Sequence, residues 1–282
     1  MLADVADQDA RVIAGGQTLV PAMALRFAQP TCLIDINRIE SLQRLESVGE
    51  EHLIIGACVR HSAFDGPAIA GVLGDLLRDV VRHIAHLPIR TRGTFGGSIA
   101  NADPAAEWCV VTATLDAVIE ARSERGTRSI AAQDYFLGFM ATALESDELL
   151  VSVTLPWLGP QARYGFHEFS RRAGDFAQAM ALVVLEIRDG VMTHVRIGVG
   201  GVESIPRRLG EAEALLEGKS VEPSLIEAAA QAAARSVTPV DTTEEEQRYR
   251  RRLVHTVVHR ALAQAIECDP ACRKQRMNHA SD

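Results

Sequence analysis

Two pairs of adjacent glycines are the residues of this chain that best suit the binding of a charged ligand. Gly15 and Gly16 follow a short apolar run, and Gly96 and Gly97 lie within residues 94–107. Because glycine has no Cβ, a ligand can approach such a backbone closely. Each pair also precedes a predicted helix start, where free N–H groups and the helix dipole favour a phosphate group. The alternative interpretation is that each pair forms a tight turn without a ligand.

The residues that follow each pair predict where its helix begins. Asp103 is a predicted N-cap, Pro104 suits the first helical position, and Glu107 falls near the first turn. Pro21 similarly falls in the first turn of a helix that is expected to run to about residue 27. Neither segment has the Gly-x-x-x-x-Gly-Lys-Ser/Thr or the Gly-x-Gly-x-x-Gly pattern, which argues against Walker and Rossmann sites. Two such segments suggest a dinucleotide whose diphosphate is held from both sides.

Four sequence blocks together resemble the flavin-binding medium subunit of molybdenum hydroxylases, the carbon monoxide dehydrogenase and xanthine dehydrogenase family. They are Ala-Gly-Gly-Gln-Thr at 14–18, Thr-Phe-Gly-Gly-Ser at 94–98 with Ala-Asp-Pro-Ala-Ala-Glu at 102–107, Phe-Ser-Arg-Arg-Ala-Gly-Asp-Phe-Ala at 169–177, and Gly-Gly-Val at 200–202 with Pro206 downstream. Their order and spacing agree with the family from residue 10 to about residue 267. The resemblance implies bound, non-covalent FAD, with molybdopterin and [2Fe–2S] clusters on partner subunits only.

The resemblance also implies which residues contact the cofactor. Glu107 is expected to accept hydrogen bonds from it, besides stabilising a helix N-terminus. Ile84 is expected beside the flavin ring and Leu150 near the adenine or the ring edge, although both are equally plausible as core residues. His167 and Glu168 stand where many relatives carry a lysine, so the flavin potential and the choice of electron acceptor are expected to differ. The full expected set is Val12, Ile13, Ala14, Gly15, Gly16, Gln17, Thr18, Leu19, Ile84, Thr94, Gly96, Gly97, Ser98, Ala102, Asp103, Glu107, Leu150 and His167.

The fold implied by the resemblance is α+β. It consists of a two-subdomain FAD-binding domain of the p-cresol methylhydroxylase/vanillyl-alcohol oxidase type at residues 1–157 and a small α+β domain at 162–267, with a three-stranded antiparallel sheet and helices. A polar tail is expected at 268–282. Family members carry a further strand and helix before the first glycine segment, and residues 1–6 resemble the end of that helix. Either the start is misassigned or the first βα unit is missing.

Apolar patterning and turn residues predict the individual elements. The predicted strands are 31–36, 53–57, 117–121, 127–130, 148–155, 163–169, 179–188 and 191–199. The predicted helices after the second glycine segment are 209–218, 224–237 and 244–266, and residues 64–87 are expected to be mostly helical.

Composition restricts the class of protein. The chain has 282 residues, a net charge of −8 and 47% hydrophobic residues, which favours a globular protein and argues against binding to nucleic acid or an anionic membrane surface. No membrane span or signal peptide is recognised. The five cysteines form no Cys-x-x-Cys pair, which favours reduced thiols in the cytoplasm and no iron–sulfur cluster on this chain. His83 and His86 could share a helix face, but a metal site is not expected there, because no carboxylate or third ligand lies nearby. His255 and His259 are interpreted as surface or interface histidines, because Thr256 stands where a His-Glu-x-x-His motif has its glutamate.

No nucleophile–base set is recognised, so no catalytic residue is assigned and the chemistry is attributed to a cofactor. By resemblance, the large subunit oxidises substrate at molybdenum and the small subunit carries two [2Fe–2S] clusters. The FAD of this subunit then passes electrons to an external acceptor, within an expected dimer of heterotrimers. Two alternatives remain open, a self-sufficient FAD-dependent oxidase and a flavin-free scaffold subunit.

Overall fold

The computed structural model describes residues 2–5 and 8–268. Its first part is a small parallel sheet of two strands, β1 (Ala10–Ile13) and β2 (Cys32–Asp35), joined through helix α1 (Leu19–Ala24). Residues Ala3–Val5 form a 3₁₀ turn. Residues 1 and 6, which belong to the predicted helix end, and most of the predicted tail lie outside the described residues.

A five-stranded sheet forms the centre of the first half of the chain. Its order is β3-β4-β9-β5-β6, all antiparallel. A large apolar core joins one face of it to the helices, with Trp108, Phe95 and Phe64 among the fully buried side chains. The strands are β3 (Leu45–Val48), β4 (His52–Gly56), β5 (Val118–Ser123), β6 (Gly126–Ala131) and β9 (Leu149–Pro156), and the main helices are α2 (Gly71–Val81), α4 (Phe95–Asn101) and α5 (Glu107–Thr114).

The second half is an antiparallel sheet covered by three helices. The three predicted long strands are present, and a fourth strand of two residues, which the sequence did not predict, joins the edge. The strands are β10 (Ala162–Phe169), β11 (Ala179–Arg188), β12 (Val191–Gly200) and β13 (Arg207–Arg208), and the helices are α7 (Gly210–Leu216), α8 (Pro223–Ser236) and α9 (Glu244–Glu267).

Strand β11 joins two hydrophobic cores because its side chains alternate between the faces of the sheet. Ala181 and Val183 pack in the core under α7–α9, whereas Leu182 and Val184 belong to the core of the first half. Tyr164 adds a polar contact between the halves, since its hydroxyl donates to Asp79 Oδ2 over 2.6 Å. The boundary between two domains at residues 157–162 stays a prediction.

Several element predictions were wrong in detail. The expected helix at 64–87 is limited to α2, preceded by a 3₁₀ turn at His61–Phe64 and followed by the short helix α3 (Leu87–Arg90). Helix α2 ends at Val81, and Ala85, whose φ is +42°, turns the chain before α3. Strand β3 was not predicted, and α1 ends three residues before residue 27. The remaining short elements are α6 (Ala132–Tyr135), β7 (Phe136–Gly138) and β8 (Ala141–Thr142).

Among the described residues, no helix combines the length and apolar character that crossing a membrane requires.

Candidate functional site

The first glycine segment, residues 14–19, carries consecutive backbone N–H groups that no acceptor from the described residues occupies. Gly16 has φ +69°, a conformation that favours glycine, and it turns the chain between β1 and α1. Within the described part of the chain, the N–H groups of residues 15–19 donate to no protein atom. The carbonyl groups are fixed instead, since Asn37 Nδ2 donates to Ala14 O over 2.8 Å and Gln17 Nε2 to Gly15 O over 2.9 Å. Successive free N–H groups in such a turn suit an anion.

The second glycine segment differs from its prediction. Gly96 and Gly97 lie in the first turn of α4, and not in a loop before a helix. Thr94 is the N-cap, because its Oγ1 accepts the N–H of Gly97 over 3.1 Å. The N–H of Gly96 donates to the carbonyl of Ala57 over 3.1 Å. The expectation of free N–H groups is therefore wrong for this segment, since acceptors of the protein already occupy them.

The two glycine segments lie against one another through residues 92–93. A Cβ at Gly15 would stand 2.5 Å from the Arg92 carbonyl oxygen and 2.6 Å from Gly93 Cα. Arg60 also donates to the Arg92 carbonyl, and its Nη2 donates to Asn37 Oδ1 over 2.7 Å. The absence of a side chain at Gly15 thus serves contact between segments as well as access for a ligand.

A buried hydrogen bond connects the 3₁₀ turn at His61–Phe64 to α5. Trp108 Nε1 donates to His61 Nδ1 over 2.9 Å. Burial, with the nearby charges of Arg60 and Arg90, lowers the pKa of His61 to about 4, so the imidazole is neutral at pH 7 and Nδ1 can accept. A Cβ at Gly93 would stand 2.6 Å from His61 Nε2. The sequence offered no signal for this pair, because its members are 47 residues apart.

The turn between α4 and α5 also corrects a prediction. Ala102 ends α4 with φ +50°. The carboxylate of Asp103 accepts the N–H of Ala105 over 2.9 Å, so it stabilises a local turn and does not cap α5. Helix α5 begins at Glu107 and not at residue 104. The carbonyl of Pro104 accepts the N–H of Gly201 over 2.8 Å, which brings the fourth sequence block to this turn.

Two buried carboxyl groups lie near the start of α5. Burial raises the pKa of Glu107 to about 7. Burial also raises the pKa of Glu168 to about 8, and the charge of Glu107 adds to this rise. The Glu168 side chain is only 3% exposed, and its Oε2 has no hydrogen-bond partner among the described residues. The His83 Nδ1 lies 3.8 Å from that oxygen, and burial lowers the pKa of His83, so its imidazole is neutral at pH 7.

The side chains of β10 alternate, and this separates His167 from the other expected site residues. His167 Nε2 lies 3.1 Å from Arg260 Nη1 of α9, and burial lowers the pKa of His167. Glu168 and Phe166 point to the opposite face, where the Phe166 ring meets the His83 ring edge-on at 5.0 Å. Glu168, and not His167, is therefore on the side of Glu107. Strand alternation in residues 163–169 was the signal that could have found it.

The other expected residues fall into two groups. Ile84 and Leu150 are 7% and 3% exposed and belong to the main core. The residues of the first glycine segment, which carry the N–H groups described above, are half-buried or exposed. In the second segment, Ser98 lies one turn into α4.

The third sequence block forms an exposed turn after β10. Gly174 has φ +84°, and a Cβ there would stand 2.5 Å from His86 Cε1, so the turn packs closely on that imidazole. Phe176 is 67% exposed and Leu87, next to His86, is 58% exposed.

Across residues 2–5 and 8–268, no group of three or more His, Cys, Asp or Glu residues could hold a metal ion. His255 and His259 stack on α9, and His255 Nε2 lies 3.0 Å from Glu227 Oε1.

Comparisons with known proteins agree over nearly the whole chain. Residues 1–158 match the FAD binding domain in molybdopterin dehydrogenase, and residues 164–265 match the CO dehydrogenase flavoprotein C-terminal domain. The chain is 39% identical over 260 residues to the nicotine 6-hydroxylase medium subunit of Paenarthrobacter nicotinovorans, covering 92% of this chain and 90% of that protein.

Solved structures show the same similarity. The carbon monoxide dehydrogenase from Hydrogenophaga pseudoflava that lacks the Mo-pyranopterin moiety aligns with a TM-score of 0.88 and 32% identity, over 94% of this chain and 92% of that chain. Quinoline 2-oxidoreductase from Pseudomonas putida 86 aligns with a TM-score of 0.87 and 34% identity, over 94% and 91%. The family expected from the four blocks and its α+β fold are confirmed. This chain belongs to the FAD-binding medium subunits of the molybdenum hydroxylases, a family of oxidoreductase subunits that work in multi-subunit complexes.

Proposed function

We propose that this chain holds FAD non-covalently and relays electrons from the iron–sulfur clusters of a partner subunit to an external acceptor. The observation that carries the proposal is the run of N–H groups at residues 15–19 that have no acceptor among the described residues. Gly15 of this run packs against Arg92 and Gly93, directly before the second glycine segment. A diphosphate would satisfy these N–H donors. A Cβ added at Gly97 would clash with the capping Thr94 Oγ1 at 2.6 Å but would meet no other element within 4 Å, so this side of α4 is open beyond its cap. The residues present therefore fit an FAD.

The proposed roles of the residues follow from their surroundings. Residues 15–19 bind the diphosphate through backbone N–H groups, and Gly97 and Ser98 leave room for it. Glu107 accepts hydrogen bonds from the cofactor, and Asp103 keeps the preceding turn in shape. FAD supplies reversible two-electron chemistry, whereas the chain supplies binding, orientation and electrostatics.

The proposed partners are an iron–sulfur small subunit and a molybdenum large subunit, in a dimer of heterotrimers. Family membership supports this, as does the exposed turn around Phe176, which offers apolar surface next to the exposed Arg171 and Arg172. Apolar and arginine side chains are enriched at protein interfaces. We also infer a cytoplasmic location, supported by Cys32, Cys58 and Cys109, whose thiols form no disulfide among the described residues.

The first experiment tests the cofactor. The full chain is purified, its visible spectrum is recorded, and the protein is precipitated with acid. We expect flavin absorbance and release of the flavin to the supernatant. Yellow colour that stays in the pellet would contradict non-covalent binding, and a colourless preparation that takes up no added FAD would favour the scaffold alternative.

The second experiment tests the relay. The chain is mixed anaerobically with the two other subunits and the substrate of the complex, and bleaching of the flavin is followed. We expect bleaching only when all subunits are present. Equally fast bleaching with substrate and this chain alone would replace the relay by the self-sufficient oxidase.

A further inference from the structure

Asn37 and Arg60 are two polar residues that the proposed function leaves without a role, although their side chains connect the two glycine segments. Asn37 follows β2, and Arg60 directly precedes the 3₁₀ turn at 61–64. Asn37 Nδ2 donates to the Ala14 carbonyl over 2.8 Å, and among the described residues no other side chain from outside residues 14–19 donates to that segment. The position of the first segment therefore depends on Asn37.

The amide of Asn37 is held in one orientation by its neighbours. Asp35 Oδ1 accepts the backbone N–H of Asn37 over 2.9 Å and its Nδ2 over 2.6 Å. Gln43 Nε2 donates to the Asn37 carbonyl over 2.7 Å. Because Nδ2 is directed at Asp35 and Ala14, Oδ1 is left to accept from Arg60 Nη2 over 2.7 Å. Asn37 is thus a donor to the first segment and an acceptor for Arg60, two roles that an amide can combine and a carboxylate cannot.

The backbone around Arg60 is fixed beside the second glycine segment. Residues 59–61 bind residues 93–95 through two backbone hydrogen bonds, of 3.0 and 2.8 Å. From this position, the half-buried guanidinium donates to the Arg92 carbonyl with Nη1 and to Asn37 with Nη2. Two different nitrogen atoms of one planar group make these bonds, so the fork shape of arginine is needed to make both at once.

We propose that Asn37 and Arg60 are positioning residues that hold the two glycine segments at the spacing that FAD requires. The proposal rests on the proposed FAD site, and neither residue is required to contact the cofactor. The contacts run from Ala14 through the pair to Arg92, so the N–H groups of residues 15–19 are in place before FAD binds. When one contact is lost, the first segment gains other positions, and the apparent dissociation constant rises as the competent fraction of chains falls.

The test is a double-mutant cycle on FAD affinity. The flavin-free full chain is titrated with FAD, and quenching of the flavin fluorescence gives the dissociation constant. Asn37→Ala and Arg60→Ala should each weaken binding by about tenfold, the effect of losing a hydrogen bond that involves a charged group. The double variant should also be weakened by about tenfold and not by about a hundredfold, because either substitution alone breaks the same connection.

Two conservative variants distinguish positioning from charge. Lysine keeps the charge but donates from one nitrogen, so Arg60→Lys should bind FAD as weakly as Arg60→Ala. Asn37→Asp keeps an acceptor for Arg60 at almost the same volume but loses the donor to Ala14, so it should bind FAD as weakly as Asn37→Ala. Wild-type affinity in Arg60→Lys and in Asn37→Ala would show that Arg60 acts by direct attraction of the diphosphate, and it would overturn the proposal.

Arg207→Ala is the matched control. Arg207 is also half-buried and donates to one side chain, Glu203, and to one backbone carbonyl, that of Ser236, but these contacts lie in the second half of the chain. Like Arg60→Ala, it should lose stability in urea titrations, yet it should bind FAD as wild type does. An equal loss of FAD affinity in Arg207→Ala and Arg60→Ala would show that affinity only follows stability, which would overturn the positioning role.

The remaining outcomes are equally decisive. Independent, additive losses in the double variant, or wild-type affinity in Asn37→Ala, would overturn the connection between the two residues. If Arg60→Ala does not fold, Arg60→Lys and Asn37→Asp decide the same question with smaller changes. A wild-type chain that binds no FAD would overturn the proposed function and this inference with it, and the wild-type titration distinguishes that case from a failure of the inference alone.

Discussion

A methyl group at Gly15 should separate the two glycine segments and weaken FAD binding. In Gly15→Ala, the new Cβ would stand 2.5 Å from the Arg92 carbonyl oxygen and 2.6 Å from Gly93 Cα. Both neighbours are backbone atoms, so neither can rotate away as a flexible side chain would. The contact is roughly 1 Å shorter than an ordinary van der Waals distance. Residues 15–19 and 92–93 must therefore move apart.

The expected magnitude follows from the cost of overpacking. Inserting a methyl group into a close-packed contact costs about 1–3 kcal/mol. If the bound geometry requires the close contact, this cost appears in cofactor affinity as a loss of about 5-fold to 150-fold. Titration of the flavin-free full chain with FAD, followed by fluorescence quenching, measures the dissociation constant directly.

Gly66→Ala is the matched control. A Cβ at Gly66 meets no atom within 4 Å, and its backbone is outside the left-handed region, so alanine should be accepted there. Wild-type affinity in Gly66→Ala together with a weakened Gly15→Ala would support the contact between segments. Gly15→Ala with the affinity of wild type would refute the reasoning, because the added Cβ would then be accommodated without moving the site.

Three further predictions concern the second glycine segment, the contact between the halves, and pH. Gly97→Val should abolish FAD binding while the chain stays folded. The new Cβ would stand 2.6 Å from the capping Thr94 Oγ1, and the branched side chain would extend into the space proposed for the cofactor. Stoichiometric flavin in the purified variant would contradict this. Tyr164→Phe should lower the free energy of unfolding by about 1 kcal/mol in urea titrations, because the hydrogen bond from its hydroxyl to Asp79 is lost with little change in volume. An unchanged urea midpoint would show that this hydrogen bond does not contribute to stability. The pKa of Glu107 and of Glu168 is raised in the native chain, to about 7 and about 8, so the native state binds more protons than the unfolded state. The flavin-free chain should therefore lose stability as pH rises from about 6.5 to about 8.5, and Glu168→Gln should reduce that slope in urea titrations at the two pH values.

Local sequence patterns were sufficient for the elements whose stability is local. The strands around Asp189 and Gly190 were placed correctly because both turn residues adopt positive φ, +50° and +78°, as a tight hairpin requires. Strand alternation placed β10, and the alanine-rich pattern placed α8, each within about two residues. The four blocks identified the family, because backbone turns and close approaches at glycine depend on a few neighbouring residues.

Tertiary structure alone decided which groups of the site are available for chemistry. The N–H groups of Gly96 and Gly97 were expected to be free, yet Ala57 and Thr94 accept them. Those of residues 15–19, in contrast, have no acceptor among the described residues. The charge of Glu107 adds to the rise in the pKa of Glu168, although the two residues are far apart in sequence. Hydrogen-bond competition and burial depend on residues distant in sequence that the fold brings together, and no local pattern records them.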